Sequence, residues 1–392
     1  MNTNDSLPRG DWTYPTRFRF GVGRIRELGE TCRSLSIARP LLVTDPNLAQ
    51  TDMVRTAHTR LADEGIDAAL FCELRPDPVG RNVEVGVSAY LQGAHDGIIA
   101  FGGGSAMDAG KAVALMIDQV RPIWDFDDVA DHWTRARDRA IAPVIAVPTT
   151  AGTGSEAGRA VAIVNEATRT KIIVFHPQML PRVVIADPEL TVGLPPHLTA
   201  ATGLDALSHC FEAYCAPGYH PMADGIALEG IRLIKDWLPV AVSDGADLWA
   251  RSHMMAAASM GAVAFQKGLG AIHAISHQIN ALFGTHHGLT NAVLMPYVMV
   301  FNRPAIEAEM RRLAAYLSLP EASFTAVLEW VLALRRELAI PNTIEALGVT
   351  ADAFDEIAAR AAIDPTAPTN PIPAGAAEMR RMVQAAMDGV MD

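Results

Sequence analysis

Two pairs of side chains raise the first chemical question. Asp205 and His209 stand four apart in Gly203-Leu-Asp-Ala-Leu-Ser-His209, and His273 and His277 stand four apart in Ala271-Ile-His-Ala-Ile-Ser-His277. On a helix, that spacing puts both members of a pair on one face. His286 and His287 follow shortly after. Imidazole and carboxylate together suit Fe, Zn, Ni or Mn, and one carboxylate with three imidazoles leaves an open position for a substrate oxygen. An isolated Asp or His on a helix also serves commonly as a cap or a satisfied core group. The flanking residues weigh between these readings. Ala206, Leu207, Ala271, Ile272 and Ile275 are apolar, and ionisable groups buried among them are costly unless paired or metal-bound. Four of the twelve histidines crowd into residues 273–287, whereas His220 and His253 have no such neighbour.

A second chemistry, phosphate binding, fits Gly102-Gly-Gly-Ser105-Ala-Met-Asp108, which follows the apolar run Gly97–Phe101. Glycines let the backbone approach a ligand, and the free N–H groups at a helix start favour an anion. Ser105 with Asp108 three residues on resembles a capping pair. The plain alternative is a tight turn between strand and helix. The pattern is not G-x-G-x-x-G, in which the ribose-binding acid follows the glycines by about 20 residues. Here the best acid, Asp45, precedes them, at the end of Pro40-Leu-Leu-Val-Thr-Asp45. Its carboxylate would accept from ribose hydroxyls and repel a 2′-phosphate; an Asp in that place also fits a helix N-cap. Pro148-Thr-Thr-Ala-Gly-Thr-Gly-Ser-Glu156 is a second polar turn after a strand. Two such turns favour a dinucleotide more than either alone.

Positioning these groups requires two kinds of element. Residues 40–45, 69–74, 97–101, 144–149, 171–175 and 182–187 read as buried strands, with helix-like stretches such as 53–64 and 83–93 between them. That alternation predicts a parallel sheet covered on both faces, with ligands at the carboxyl ends of its strands. After Thr191-Val-Gly-Leu-Pro-Pro196 the strand pattern stops. Helical spacing runs through 198–214, 222–237, 249–265, 271–282 and 306–317, and a proline-rich loop at 364–373 precedes a last helix over 376–387. The expectation is an α/β domain over 1–192 and an all-helical domain over 193–392.

Composition agrees. A chain of 392 residues exceeds what one hydrophobic core usually supports. The net charge of −12 opposes binding to nucleic acid or an anionic membrane, so an anionic ligand must be held by local dipoles. Four scattered cysteines without a CxxC pair exclude a disulfide scaffold and a thiolate zinc site. Neither a signal-peptide pattern nor an apolar run of membrane-spanning length stands in the sequence, so a cytoplasmic protein is expected.

In these stretches the chain resembles the iron-containing (group III) alcohol dehydrogenase family: Leu42–Asp45, Gly102–Lys111, Pro148–Glu156, Asp187–Leu190, Gly203–His209, His273–His277 and His287-Gly-Leu-Thr-Asn-Ala292. The resemblance implies an N-terminal dinucleotide-binding α/β domain, a helical metal-binding domain, catalysis in the cleft between them, and a homodimer. It implies NAD and Fe²⁺ as cofactors, Zn²⁺ being accepted by the same donors, and a small alcohol or aldehyde as substrate. Asp205, His209, His273 and His287 match the metal ligands, and His277 matches a histidine near the nicotinamide discussed as a proton relay; His286 matches no ligand. Asp45 matches the position that sets NAD against NADP. Gly103, Gly104, Ser105 and Asp108 match the pyrophosphate turn, Thr149, Thr150 and Thr153 nucleotide contacts, and Lys171 a lysine that reaches the nicotinamide ribose. Asp77 stands where the family commonly has Asn, Arg159 follows an altered Ala-Gly pair, and Phe265-Gln-Lys-Gly-Leu-Gly270 is one residue shorter than usual. Phe265 and Lys267 are thereby expected at the substrate pocket, Lys267 either as a partner for an acidic substrate or as a lysine facing solvent. A dehydroquinate-synthase-like lyase and a non-catalytic metal- or nucleotide-binding protein are the competing readings.

Overall fold

The computed structural model describes residue 14, residues 16–168 and residues 170–391. Its main sheet has six parallel strands: β1 (Arg17–Phe20), β2 (Pro40–Val43), β3 (Ala69–Phe71), β4 (Gly97–Gly102), β5 (Val144–Pro148) and β8 (Val183–Ala186), in the order β1-β8-β5-β4-β2-β3. Alternation along β4 shows why the sheet is covered twice. Ile98 and Ala100 enter one apolar core, and Ile99 and Phe101 enter another. The second core is closed by α1 (Leu28–Ser34) and α2 (Asp52–Asp63), through Cys32, Val54, Ala57 and Leu61. The first is closed by α3 (Gly80–Gln92) and α4 (Gly104–Met116), and it continues into the helical half of the chain.

From β2 the chain steps outward to β3 and returns to lay β4 on the other side of β2. The β2–β4 gap is therefore the point where strand order reverses, where ligands of such sheets bind. Asp45 follows β2, and Gly102–Ser105 follows β4, so both flank it.

One expected strand lies elsewhere. β7 (Thr170–Phe175) leaves the main sheet and pairs antiparallel with β6 (Ala160–Asn165). Fewer than five residues separate the two strands. That length permits a hairpin, whereas a parallel crossover needs a dozen or more residues. β1 and β6 lie outside the expected strands; β1 has four residues, none of them buried, and β6 buries only Val161 and Ile163.

From residue 196 onward the described residues contain helices and loops but no strand. They form α5 (Pro196–Cys215), α6 (Pro221–Ser243), α7 (Leu248–Ala264), α8 (Ala271–Phe283), α9 (His287–Tyr316), α10 (Phe324–Glu337), α11 (Phe354–Ala361) and α12 (Ala376–Asp388). Every residue of α5 from Thr199 on is buried except Thr202, which makes it the central helix. α9 runs through Pro296 and Pro304, where the sequence pattern predicts helix only from residue 306. The tertiary packing around it offsets the hydrogen bonds that the prolines remove.

Candidate active site

Three helices converge on one point. Asp205 and His209 on α5, His273 on α8 and His287, the first residue of α9, bring one carboxylate oxygen and three imidazole nitrogens within 4.8 Å of one another. The His209 and His273 rings stack at 4.7 Å between centroids. Acceptors outnumber donors here. The Asn291 amide nitrogen lies 2.8 Å from Asp205 Oδ1 and 3.2 Å from both His273 Nε2 and His287 Nε2, so two hydrogens face three acceptors. Among the described residues, neither His209 Nδ1 nor Asn291 Oδ1, both buried, has a partner in hydrogen-bond geometry. Lone pairs gathered in a buried site with so little to satisfy them are the donor set a divalent transition metal needs.

The surroundings also hold two of the imidazoles in the neutral form a metal requires. Burial pushes His209 down to about 4, so it is neutral near pH 7. His287 is driven well below the ordinary histidine value by burial, reinforced by the Lys171 ammonium. His273 behaves differently. Burial opposes its charge, yet the Glu212 carboxylate beside Nδ1 prevails and holds its pKa above the ordinary value. His273 Nδ1 lies 2.6 Å from Glu212 Oε2, and with Nδ1–H donating there, Nε2 is left as the ligand atom. His287 Nδ1 is held in the same way, 2.8 Å from Asn280 Oδ1. Glu212 Oε1 meanwhile accepts from Ile272 N–H at 2.7 Å, at the N-terminus of α8, where the helix dipole favours an anion.

Residues 15–188 match the family described as iron-containing alcohol dehydrogenase, and residues 199–387 match its C-terminal family. The chain belongs to the iron-containing alcohol dehydrogenase family. Among its relatives it is 38% identical to the 4-hydroxybutyrate dehydrogenase of Cupriavidus necator, over 95% of this chain and 99% of that one. It is 34% identical to the NAD-dependent methanol dehydrogenase of Bacillus methanolicus, over 94% and 97%. A solved 1,3-propanediol oxidoreductase superposes with a TM-score of 0.92 at 32% identity, over 97% of this chain and 100% of that one.

The sheet side of this iron-containing alcohol dehydrogenase is built from two interlocked turns. A methyl group on Gly103 would meet Thr150 at 3.2 Å, and one on Gly104 would meet Thr153 at 2.7 Å. The absence of side chains at 103 and 104 therefore lets the threonine turn lie against the glycine turn, and Thr149 N–H donates to Gly102 C=O at 2.9 Å. Gly103 is the N-cap of α4, so Ser105 lies inside the first helical turn and caps nothing, contrary to the capping-pair reading. Asp108 is corrected as well. Its two oxygens accept from Ser155 Oγ–H at 2.6 Å and Ala162 N–H at 3.0 Å, so it braces the segment beyond the threonine turn instead of facing a phosphate. Asp45 divides its duties: Oδ1 accepts from Asn47 N–H and Leu48 N–H, as a cap does, and Oδ2 points to the Gly102 turn. Asp77 and Lys171 form an ion pair at 2.7 Å, with Asp77 at φ 52°.

His277 stacks on His287 at 5.5 Å, and its Nδ1 lies 3.0 Å from Asp364 Oδ2; among the described residues Nε2 has no partner. His286 takes the role of N-cap of α9, accepting from Leu289 N–H. Phe265 packs its ring 5.2 Å from that of His209. Lys267 is corrected: its ammonium is buried on Asp224 at 2.5 Å and on the Tyr214 carbonyl at 3.2 Å, and so ties α6 to the end of α5.

Sequence reasoning passes over Glu212, Asn280, Asn291 and Asp364. The first two are within its reach. Glu212 lies seven and three residues beyond Asp205 and His209, and Asn280 seven and three beyond His273 and His277, on the same helical faces.

Proposed function

We propose that residues 1–192 form a dinucleotide-binding domain, that residues 193–392 form a metal-binding domain, and that the cleft between them carries out reversible hydride transfer between a small alcohol or hydroxy acid and NAD. The observation that carries this reading is the quartet of Asp205, His209, His273 and His287, two of them on α5, against which the threonine turn of the sheet packs through Gly152 and Thr202, while Gly154 packs against Ala258 of the neighbouring α7. When bound by this quartet, a divalent metal, iron in this family, would supply a Lewis acid for the alcohol oxygen, and NAD would supply the hydride acceptor.

The protein's own contributions come from its geometry. Glu212 and Asn280 fix the tautomer and tilt of His273 and His287. Gly103, Gly104, Ser105, Thr149, Thr150 and Thr153 offer N–H and hydroxyl donors to the pyrophosphate and nicotinamide, so a chain of charge −12 binds an anion by dipoles. Asp45 Oδ2 accepts from ribose hydroxyls and repels a 2′-phosphate. Lys171, steered by Asp77, reaches toward the nicotinamide ribose. His277, anchored through Nδ1 by Asp364, would take up at Nε2 the proton released by the hydroxyl and pass it to solvent. Phe265 walls the ligand cluster from water. Its relatives' names, 4-hydroxybutyrate dehydrogenase among them, support a terminal alcohol as substrate.

Homodimerisation and a cytoplasmic location are part of the same reading. No helix among the described residues is long and apolar enough to cross a membrane. The test is an anaerobic screen of alcohols, diols and hydroxy acids with NAD and added Fe²⁺ or Zn²⁺, followed by near-ultraviolet absorbance of the reduced cofactor. Accumulating reduced cofactor is the expected result; its absence with every alcohol rejects the proposal, and a lyase that uses NAD transiently would give that outcome.

A further inference from the structure

A cavity of about 250 Å³ shares one wall residue, Phe265, with the surroundings of the histidine cluster. Phe265 is shared between the two: its ring lies 5.2 Å from that of His209 and also lines the cavity, together with Gly158, Ala160, Phe175, Gln266 and Arg159. Arg159 is the cation of this wall. Its guanidinium lies over the Phe175 ring at 5.3 Å, and among the described residues no carboxylate or carbonyl takes its N–H groups. Asp128 lines the same cavity and acts on Arg159 only from beyond ion-pair distance.

The backbone that presents Arg159 is held from three sides. Lys111, 1% exposed, donates Nζ–H to the carbonyls of Ser155 at 2.8 Å, Ala160 at 2.7 Å and Gly158 at 3.4 Å. Asp108 holds Ser155 and Ala162, and Glu156 accepts from Ser259 Oγ–H at 2.8 Å. His176 N–H donates to the Arg159 carbonyl at 3.2 Å. A planar guanidinium, partly desolvated, fixed on a rigid segment and without a protein anion on its fork, is set up for bidentate recognition of a carboxylate.

We propose that Arg159 binds the carboxylate of a hydroxy-acid substrate, or of the matching aldehyde acid, with the carbon chain passing Phe265 and the hydroxyl end directed at the ligand cluster. The proposal rests on the alcohol oxidoreductase reading and names its substrate class. It assigns to Arg159 the recognition that Lys267, already neutralised by Asp224, is unable to supply.

Two measurements on the full-length, metal-loaded protein separate the possibilities. The first compares kcat/KM for 4-hydroxybutyrate and for 1-butanol in wild type, Arg159→Met and Arg159→Lys. Arg159→Met is expected to lower the value for the acid by roughly 10- to 100-fold, the size of a lost charged hydrogen bond, while changing that for 1-butanol less than about threefold. Arg159→Lys should recover part of the loss. Equal losses on both substrates, or none on the acid, overturn the proposal. The second measures butyrate binding by calorimetry. Binding to wild type and its loss in Arg159→Met support the subsite; equal binding to both, or none to wild type, overturns it. If butyrate binds through Arg159 and no alcohol is oxidised by wild type, the oxidoreductase reading is what has failed.

Discussion

Glu212→Gln exchanges one oxygen for an amide nitrogen with almost no change in shape, yet it disturbs two hydrogen bonds at once. Glu212 accepts from Ile272 N–H at 2.7 Å and from His273 Nδ1–H at 2.6 Å. Glutamine has only one acceptor oxygen. If that oxygen stays on Ile272, the amide N–H₂ faces His273 Nδ1–H, donor against donor. His273 relieves the clash by moving its proton to Nε2, which removes the lone pair needed for a metal. If the amide turns over, His273 keeps its tautomer and Ile272 N–H is orphaned in a site where Glu212 is itself buried. Either route costs about 1–3 kcal/mol, the penalty for an unsatisfied buried donor. Loss of an outer partner of a metal-ligating histidine typically weakens metal binding about 10- to 100-fold, which is the same range expressed as an equilibrium constant. Competition against a chelator of known affinity, in wild type and Glu212→Gln, reads this directly, and kcat at saturating Fe²⁺ should recover further than activity at limiting metal. A metal Kd within about twofold of wild type, with the fold intact by circular dichroism, would refute the reasoning.

Three further outcomes are expected. In Gly104→Ala the new methyl would lie 2.7 Å from Thr153 Cγ2, so the threonine turn must shift; KM for NAD rises while metal content stays constant, and calorimetry shows a stability loss of about 1–3 kcal/mol. Asp45→Ala removes the carboxylate proposed to face the ribose, and relief of like-charge repulsion is expected to shift the ratio of kcat/KM values toward NADP by roughly tenfold. For Asp364, burial raises the carboxyl, but His277 and Thr366 more than offset this and hold it below its usual value of 3.8. A depressed folded pKa contributes stability above the unfolded value and loses it as pH falls through the folded one. The stability gap between wild type and Asp364→Asn in denaturant melts is therefore full above about pH 5 and narrows below 3.8; a gap that does not change with pH would count against the assignment.

Local periodicity is why much of the architecture is readable in the sequence. β2, β4, β5 and β8 are apolar runs closed by glycine, proline or aspartate, and both faces of the sheet demand that composition. β7 satisfies the same pattern, yet its partner is β6, because hairpin against crossover is decided by the length of the connection. The first half of α9 escapes a local reading because Pro296 is a stop that tertiary packing overrides. At the site, Asp205–His209 and His273–His277 are legible because helical spacing is local. Asp364 is not: it reaches His277 across 87 residues of sequence from a proline-rich loop, and nothing local marks it. Lys267 and Asp108 mislead for a related reason. A charged side chain in a motif looks available until the fold supplies its partner, here Asp224 for one and Ser155 with Ala162 for the other. Arg159 is the opposite case, a charge with no protein anion on its fork among the described residues.

The central claim is that Asp205, His209, His273 and His287 together hold one divalent metal. Its most direct test is metal content per chain, by elemental analysis after anaerobic loading with Fe²⁺ and gel filtration, in wild type and in Asp205→Ala and His273→Ala. One ion per chain in wild type, and little in either folded variant, is the predicted result. An empty wild-type protein, or near-stoichiometric metal retained by both variants, would contradict it.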